Sequence, residues 1–132
     1  MPKKKRKKRK SRYHRGEYKS IKSGITYKFR SEWEAKYMVH LDTDPLVTSW
    51  TYEQTVIEYI SNIRTKKVRR YYPDFTVNYS DGRSEVIEIK PRYKVNQLLI
   101  KKKSDAARSW CLTRGIEYKI ITEIELKEMG LL

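Results

Sequence analysis

The stretch "RRYYPDFTVNYSDGRSEVIEIKPRY", residues 69–93, holds an aspartate, a glutamate and a lysine that could act together: Asp74, Glu88 and Lys90. Two carboxylates offer hard oxygen ligands to a divalent ion, most simply Mg²⁺, with Mn²⁺ as a substitute. An ion held there polarises a phosphodiester and helps to ionise water. A lysine beside it can orient that water or stabilise the charge that develops in the transition state. Fourteen residues separate Asp74 from Glu88, so the chain must turn back on itself to join them. An ordinary β-hairpin with charges on its wet face would also have this sequence.

The turn is visible. "SDGR", 80–83, contains the Asp-Gly pair that favours a tight hairpin between "VRRYYPDFTVNY", 68–79, and "SEVIEIK", 84–90. Side chains alternate along a strand. Tyr71, Pro73, Phe75, Val77 and Tyr79 then share one face, and Tyr72, Asp74, Thr76 and Asn78 the other. On the return strand Val86, Glu88 and Lys90 lie opposite Ile87 and Ile89, which sets Glu85 apart from Glu88. Asp is disfavoured in strands, and Pro73 before it marks an irregularity. Parity alone does not place Asp74 opposite Glu88.

Other elements must frame this hairpin. "GITYKF", 24–29, reads as a strand or an extended lead-in. Ser31 and Glu34 form the S-x-x-E capping box that opens a helix, with Trp33, Tyr37, Met38 and Leu41 on one face and Pro45 after it. That box gives Glu34 a structural job of its own. "LVTSWTYEQTVIEYI", 46–60, reads as one or two strands, from which Glu53 and Gln54 are weaker candidates to reach the site. A helix is expected from Lys94 to about Arg114, stopped by Gly115. The strand "IEYKIIT", 116–122, follows, and a second box, Thr122 with Glu125, opens a short last helix. The order implies an α/β domain with a mixed sheet.

Pro73–Asp74 followed after a turn by Glu88–Ile89–Lys90 resembles the PD-(D/E)xK nuclease motif. The longer segments "ITYKFRSEWEAKYMVHLDTDP", "SWTYEQTVIEY", "VRRYYPDF", "VIEIKP" and "AARSWCLTRGIEYKIITEIELKEMG" resemble the head-completion nucleases of tailed phages, relatives of the TnsA-type endonucleases. The resemblance covers about residues 25–132. It implies a restriction-endonuclease-like core, a mixed central β-sheet flanked by helices. It implies Asp74 and Glu88 as metal ligands, Lys90 as the catalytic lysine, Glu34 as the further acid, and the backbone carbonyl of Ile89 as an added ligand. It also implies DNA as substrate, other virion head, neck or packaging proteins as partners, a possible homodimer, and a place in the bacterial host cytoplasm or the virion.

The formal charge of +15 over 132 residues is uneven. Residues 1–30 hold 14 Lys/Arg against one acid, and the remainder holds 17 against 15. Lys3, Lys4, Lys5, Arg6, Lys7, Lys8, Arg9 and Lys10 make a self-repelling block, expected to be disordered when unbound. The charge divides the chain into a basic arm, 1–23, and a remainder, 24–132, which the resemblance implies is the nuclease domain. Nucleic acid is the natural partner of the arm, since each phosphate neutralised releases counterions. RNA, an anionic membrane, a nuclear-import role for "PKKKRK" and a solubilising role compete. The arm lacks the apolar stripe a membrane needs. Arg69, Arg70, Arg92 and Lys94 flank the proposed site and are candidate phosphate contacts.

Other classes find no support. One cysteine excludes an intrachain disulfide, and no apolar run reaches the roughly 18 residues of a membrane span. No h-region follows the basic start, so no secretion signal is read. His14 and His40 lack Cys/His partners for zinc. The reading is an Mg²⁺-dependent DNA endonuclease acting around phage genome packaging and head completion. The alternatives are a structural head or neck protein that binds DNA on a nuclease-like fold, and a TnsA-like transposition or junction-cleaving nuclease.

Overall fold

The structure, a computed structural model, describes residues 15–132; the basic block Lys3 to Lys10 lies outside the described residues. Two strands come first, β1 (Gly16–Lys19) and β2 (Thr26–Phe29), paired antiparallel. Helix α1 (Glu32–Thr43) follows, then β3 (Val47–Tyr52), β4 (Ile57–Asn62), β5 (Lys67–Tyr71), β6 (Phe75–Tyr79) and β7 (Ser84–Ile89). A 3₁₀ turn at Arg92–Lys94, α2 (Leu98–Thr113), β8 (Glu117–Ile121) and α3 (Glu123–Glu128) complete the chain.

The central sheet has the order β3-β6-β7-β8. It is mixed: β3/β6 and β6/β7 are antiparallel, and β7/β8 are parallel across the α2 crossover. One face packs Phe75, Val77, Ile87 and Ile89 against Tyr37, Met38 and Leu41 of α1 and Leu126 of α3. The other packs Val86 and Tyr118 against Ala107 and Cys111 of α2 and against Ile57, Tyr59 and Tyr71 of the β4–β5 hairpin. The architecture is the helix-flanked mixed sheet expected of a restriction-endonuclease-like core.

Local signals act as the residues demand. Gly82 (φ +89°) makes the tight turn between β6 and β7, where the left-handed backbone suits glycine. Thr122 and Glu125 form the full reciprocal capping box at α3. Among the described residues no helix is long and apolar enough to cross a membrane.

Three boundaries differ from those read in the sequence. The arm does not extend to residue 23. Gly16–Lys19 is a strand, in register from Gly16 opposite Phe29 to Lys19 opposite Thr26. Asp42 anchors this segment by accepting from Tyr18 Oη (2.6 Å), Ser20 Oγ (2.9 Å) and the Ile21 amide (2.7 Å), and it also accepts from Trp50 Nε1 (2.8 Å). The helix expected from Lys94 begins at Leu98, because the 3₁₀ turn takes up the residues that follow Pro91. The stretch 68–79 is also two strands rather than one. β5 pairs with β4 in a separate ribbon, β6 joins the central sheet, and the break falls at Tyr72–Pro73–Asp74. Proline has no N–H to give to a ladder, so the chain leaves one sheet and enters the other there.

Candidate active site

The break in that strand makes the site. Asp74 stands just before β6, and its carboxylate Oδ2 accepts the Ile89 amide at 2.7 Å. The amide of Asp74 in turn donates to Glu88 Oε2 at 3.2 Å. Asp74 and the end of β7 thus hold each other through one backbone bond in each direction. Glu88 Oε2 also accepts the Tyr71 hydroxyl at 2.6 Å, and that hydroxyl lies 3.0 Å from Tyr118 Oη. Glu88 Oε1 faces Lys90 Nζ at 3.7 Å.

Glu34 arrives from the first turn of α1. Its Oε1 accepts from the Arg30 amide (3.1 Å) and Ser31 Oγ (3.2 Å), while the Glu34 amide donates to Ser31 Oγ. Its Oε2 accepts the Tyr52 hydroxyl at 2.6 Å. The carboxylate therefore braces its own helix start and still faces the cleft. Glu53 arrives from the end of β3. Its φ of +53° is left-handed, which costs a residue with a Cβ about 1–3 kcal/mol unless its surroundings impose it. Its amide donates to the Asp74 carbonyl at 2.9 Å, which ties the turn to the site.

Three carboxylates converge: one oxygen each of Glu34, Glu53 and Asp74 lies within 4.8 Å of the others. Glu88 stands outside this trio, with Oε2 taken by Tyr71 and the Asp74 amide. Ile89 lies in the cleft wall beside them. Glu85 points to the opposite face of the sheet, where it is ion-paired with Lys119 at 2.6 Å. All of the site groups open into one cleft of about 1370 Å³, whose walls also include Trp33, Tyr72, Arg70, Arg92 and Lys94. Arg70 reaches the cleft; Arg69 is exposed on β5.

The electrostatics are those of crowded, partly desolvated acids. Burial, then the charges of Glu88 and Glu34, hold the Asp74 carboxyl well above the usual carboxylate range, against the pull of the Ile89 amide and Lys90. Burial also raises Glu88, opposed by Tyr71, Lys90, the Asp74 amide and Lys103. Glu53 is raised by burial and by Glu34, while Arg30, 3.2 Å away, acts in the other direction. A divalent cation fits such a group. The donors are all hard oxygens, and their mutual repulsion is what a cation between them relieves.

From the sequence Glu53 is only a weaker candidate. Its geometry depends on a positive φ that no residue type announces. Tyr52, Tyr71 and Lys103, which hold or tune the acids, gave no sequence signal beyond their aromatic or basic character.

The family model described as TnsA-like endonuclease N terminal matches residues 44–123, a span containing Glu53, Asp74, Glu88 and Lys90. The head completion nuclease of Enterobacteria phage T4 is 33% identical, over 86% of this chain and 88% of that protein. On the extent of both matches, the chain belongs to the TnsA-like endonuclease family.

Proposed function

We propose that this chain is a divalent-metal-dependent endodeoxyribonuclease, served by Mg²⁺ or Mn²⁺, that acts in phage DNA packaging and head completion. The convergence of Glu34, Glu53 and Asp74 beside Lys90 in one cleft is the observation that carries the reading. The T4 relative, a head completion nuclease by name, supports the biological setting. DNA is then the substrate, other head, neck or packaging proteins are candidate partners, and the host cytoplasm or virion is the place of action. A homodimer would let two such sites cut both strands of a duplex.

Asp74, Glu34 and Glu88, the last through Oε1, would hold the cation with the Ile89 carbonyl, and Glu53 would join them from the end of β3. When bound, the ion supplies Lewis-acid polarisation of a phosphoryl oxygen and a lowered pKa for water. The chain's own residues do the rest. Asp74 is fixed by the Ile89 amide, so its carboxylate needs no reorganisation. Lys90, restrained by Glu88, places an ammonium where it can donate to the attacking water or to a phosphate oxygen as negative charge builds. Tyr71 holds Glu88, and so sets Lys90 indirectly. Arg70, Arg92 and Lys94 on the cleft wall, with Lys3 to Lys10 of the arm, draw in the phosphate backbone.

The test is incubation of purified protein with supercoiled plasmid and Mg²⁺ or Mn²⁺, beside Asp74→Ala and Lys90→Ala. Nicking or linearisation by the wild type and its loss in both variants is expected. Wild type that leaves DNA intact over a broad range of metal, salt and pH would sink the reading. Equal cleavage by the variants would trace the activity to a contaminant.

A further inference from the structure

The β4–β5 hairpin supplies none of the three converging carboxylates, yet it adjoins them, with Tyr71 at its end bonded to Glu88. One face is anchored: Ile57, Tyr59 and Tyr71 pack into the core beneath α2, and Lys102 Nζ donates to the Ser61 carbonyl at 3.1 Å. The other face is open. Ile60 and Val68 are paired across the ribbon and each is 55% exposed; Ile63 at the tip is 84% exposed. Residues 57–71 carry Arg64, Lys66, Lys67, Arg69 and Arg70 against one acid, Glu58. Among the described residues none of these five cations forms an ion pair. Arg70 lines the cleft that holds the three acids, so the charged ribbon runs on from the site itself.

We infer that this hairpin is a duplex-binding ribbon that seats in a groove of the substrate beside the scissile phosphate. The identity of the polymer rests on the nuclease reading above; the placement rests on the ribbon's charge and position. A two-stranded ribbon is of a size that the major groove of B-DNA admits. Unpaired cations at its tip and along β5 complement the two phosphate ridges that flank a groove, and leave the apolar Ile60–Val68 pair facing the groove floor. At about 3.3 Å per residue, β5 extends from Arg70 toward the tip by about 10–15 Å. This predicts contact with about three to five base pairs on one side of the cut, at about 3.4 Å per pair.

The experiment uses the full chain and a tip variant, Arg64→Gln/Lys66→Asn/Lys67→Gln. Asn is chosen at 66 because Lys66 has a φ of +54°, a conformation Asn tolerates. Binding to a fluorescent duplex is measured in EDTA across a salt series. Cleavage of the duplex and of bis-p-nitrophenyl phosphate is measured in Mn²⁺. Loss of three phosphate contacts should lower the slope of log K against log salt by about 2–3. Duplex affinity should fall at least tenfold at moderate salt. KM for duplex should rise while turnover of the small diester is unchanged. Unaltered affinity and slope overturn the proposal, whatever the cleavage result. A shift from dimer to monomer with unaltered binding overturns it too, and assigns the ribbon to a second copy of the chain. A wild type that cleaves nothing, beside a tip variant that loses duplex binding, keeps the ribbon and discards the nuclease reading.

Discussion

Replacing Asp74 by Asn should make the metal-free protein more stable while removing its activity. In the wild type the half-buried Asp74 carboxylate lies beside Glu88 and within 4.8 Å of oxygens of Glu34 and Glu53. Two full charges no farther apart than this would repel by at least about 3.5 kcal/mol at an effective dielectric constant of about 20. The hydrogen bond from the Ile89 amide and the charge of Lys90 recover part of this. Asn keeps an acceptor for the Ile89 amide, and its NH₂ can donate to a neighbouring carboxylate. The net gain expected in EDTA is about 1–3 kcal/mol, or about 3–15 °C in Tm for a domain of this size. Mg²⁺ should reverse the order. Wild type gains about 4.1 kcal/mol when the ion is at about a thousand times its Kd, and the variant gains little. Calorimetry of both proteins with EDTA and with Mg²⁺ measures this directly. An Asp74→Asn protein less stable than wild type in EDTA would refute the electrostatic account of the site.

Two further predictions concern other acids. Asp42→Asn should destabilise by about 2–4 kcal/mol, because the amide would face the Ile21 N–H, a donor that now meets Oδ2. Burial raises the Asp42 carboxyl, but its hydrogen bonds from Tyr18, Trp50, Ile21 and Ser20 outweigh burial and leave it below the usual range. Its contribution is therefore complete above the unfolded value of about pH 4 and is lost as pH falls through the lower folded value. The stability difference between wild type and variant, followed by urea unfolding, should be flat near neutrality and shrink below about pH 4; a difference that widens in acid is the contrary result. Glu53→Gln should raise the Mg²⁺ concentration for half-maximal cleavage at least tenfold, and Arg30→Ala should not. An unchanged metal requirement in Glu53→Gln would leave Glu53 only its ion pair with Arg30.

Much of the frame was legible because it depends on local rules. The Asp81–Gly82 pair of "SDGR" placed the β6–β7 hairpin, and the Asp81 carboxylate closes that turn by accepting the Arg83 amide at 3.0 Å. Strand parity separated Glu88 from Glu85, and the two do lie on opposite faces of the sheet. The S-x-x-E box at Ser31 located the start of α1. Less legible was "GEYK", 16–19, since a four-residue strand rich in charge has no apolar alternation to reveal it. Pro73 was read as an irregularity; that it sends β5 and β6 into different sheets depends on what each side packs against.

By itself, the sequence determined the order of the three helices around the β6–β7 hairpin and the strand 117–121, the turn that returns Glu88 and Lys90 toward Asp74, and the concentration of positive charge at the N-terminal end. Each follows from backbone preferences and composition within a few residues. Tertiary structure decided which acids converge. Glu34 and Glu53 are 19 residues apart in sequence. They meet Asp74 only because α1 packs on the central sheet while β3 pairs with β6 beside it. It also decided what Glu34 does: one oxygen holds the helix start and the other takes the Tyr52 hydroxyl, so the capping role and the place in the site coexist. Burial then set the electrostatics, because only a folded core can remove water from several carboxylates at once.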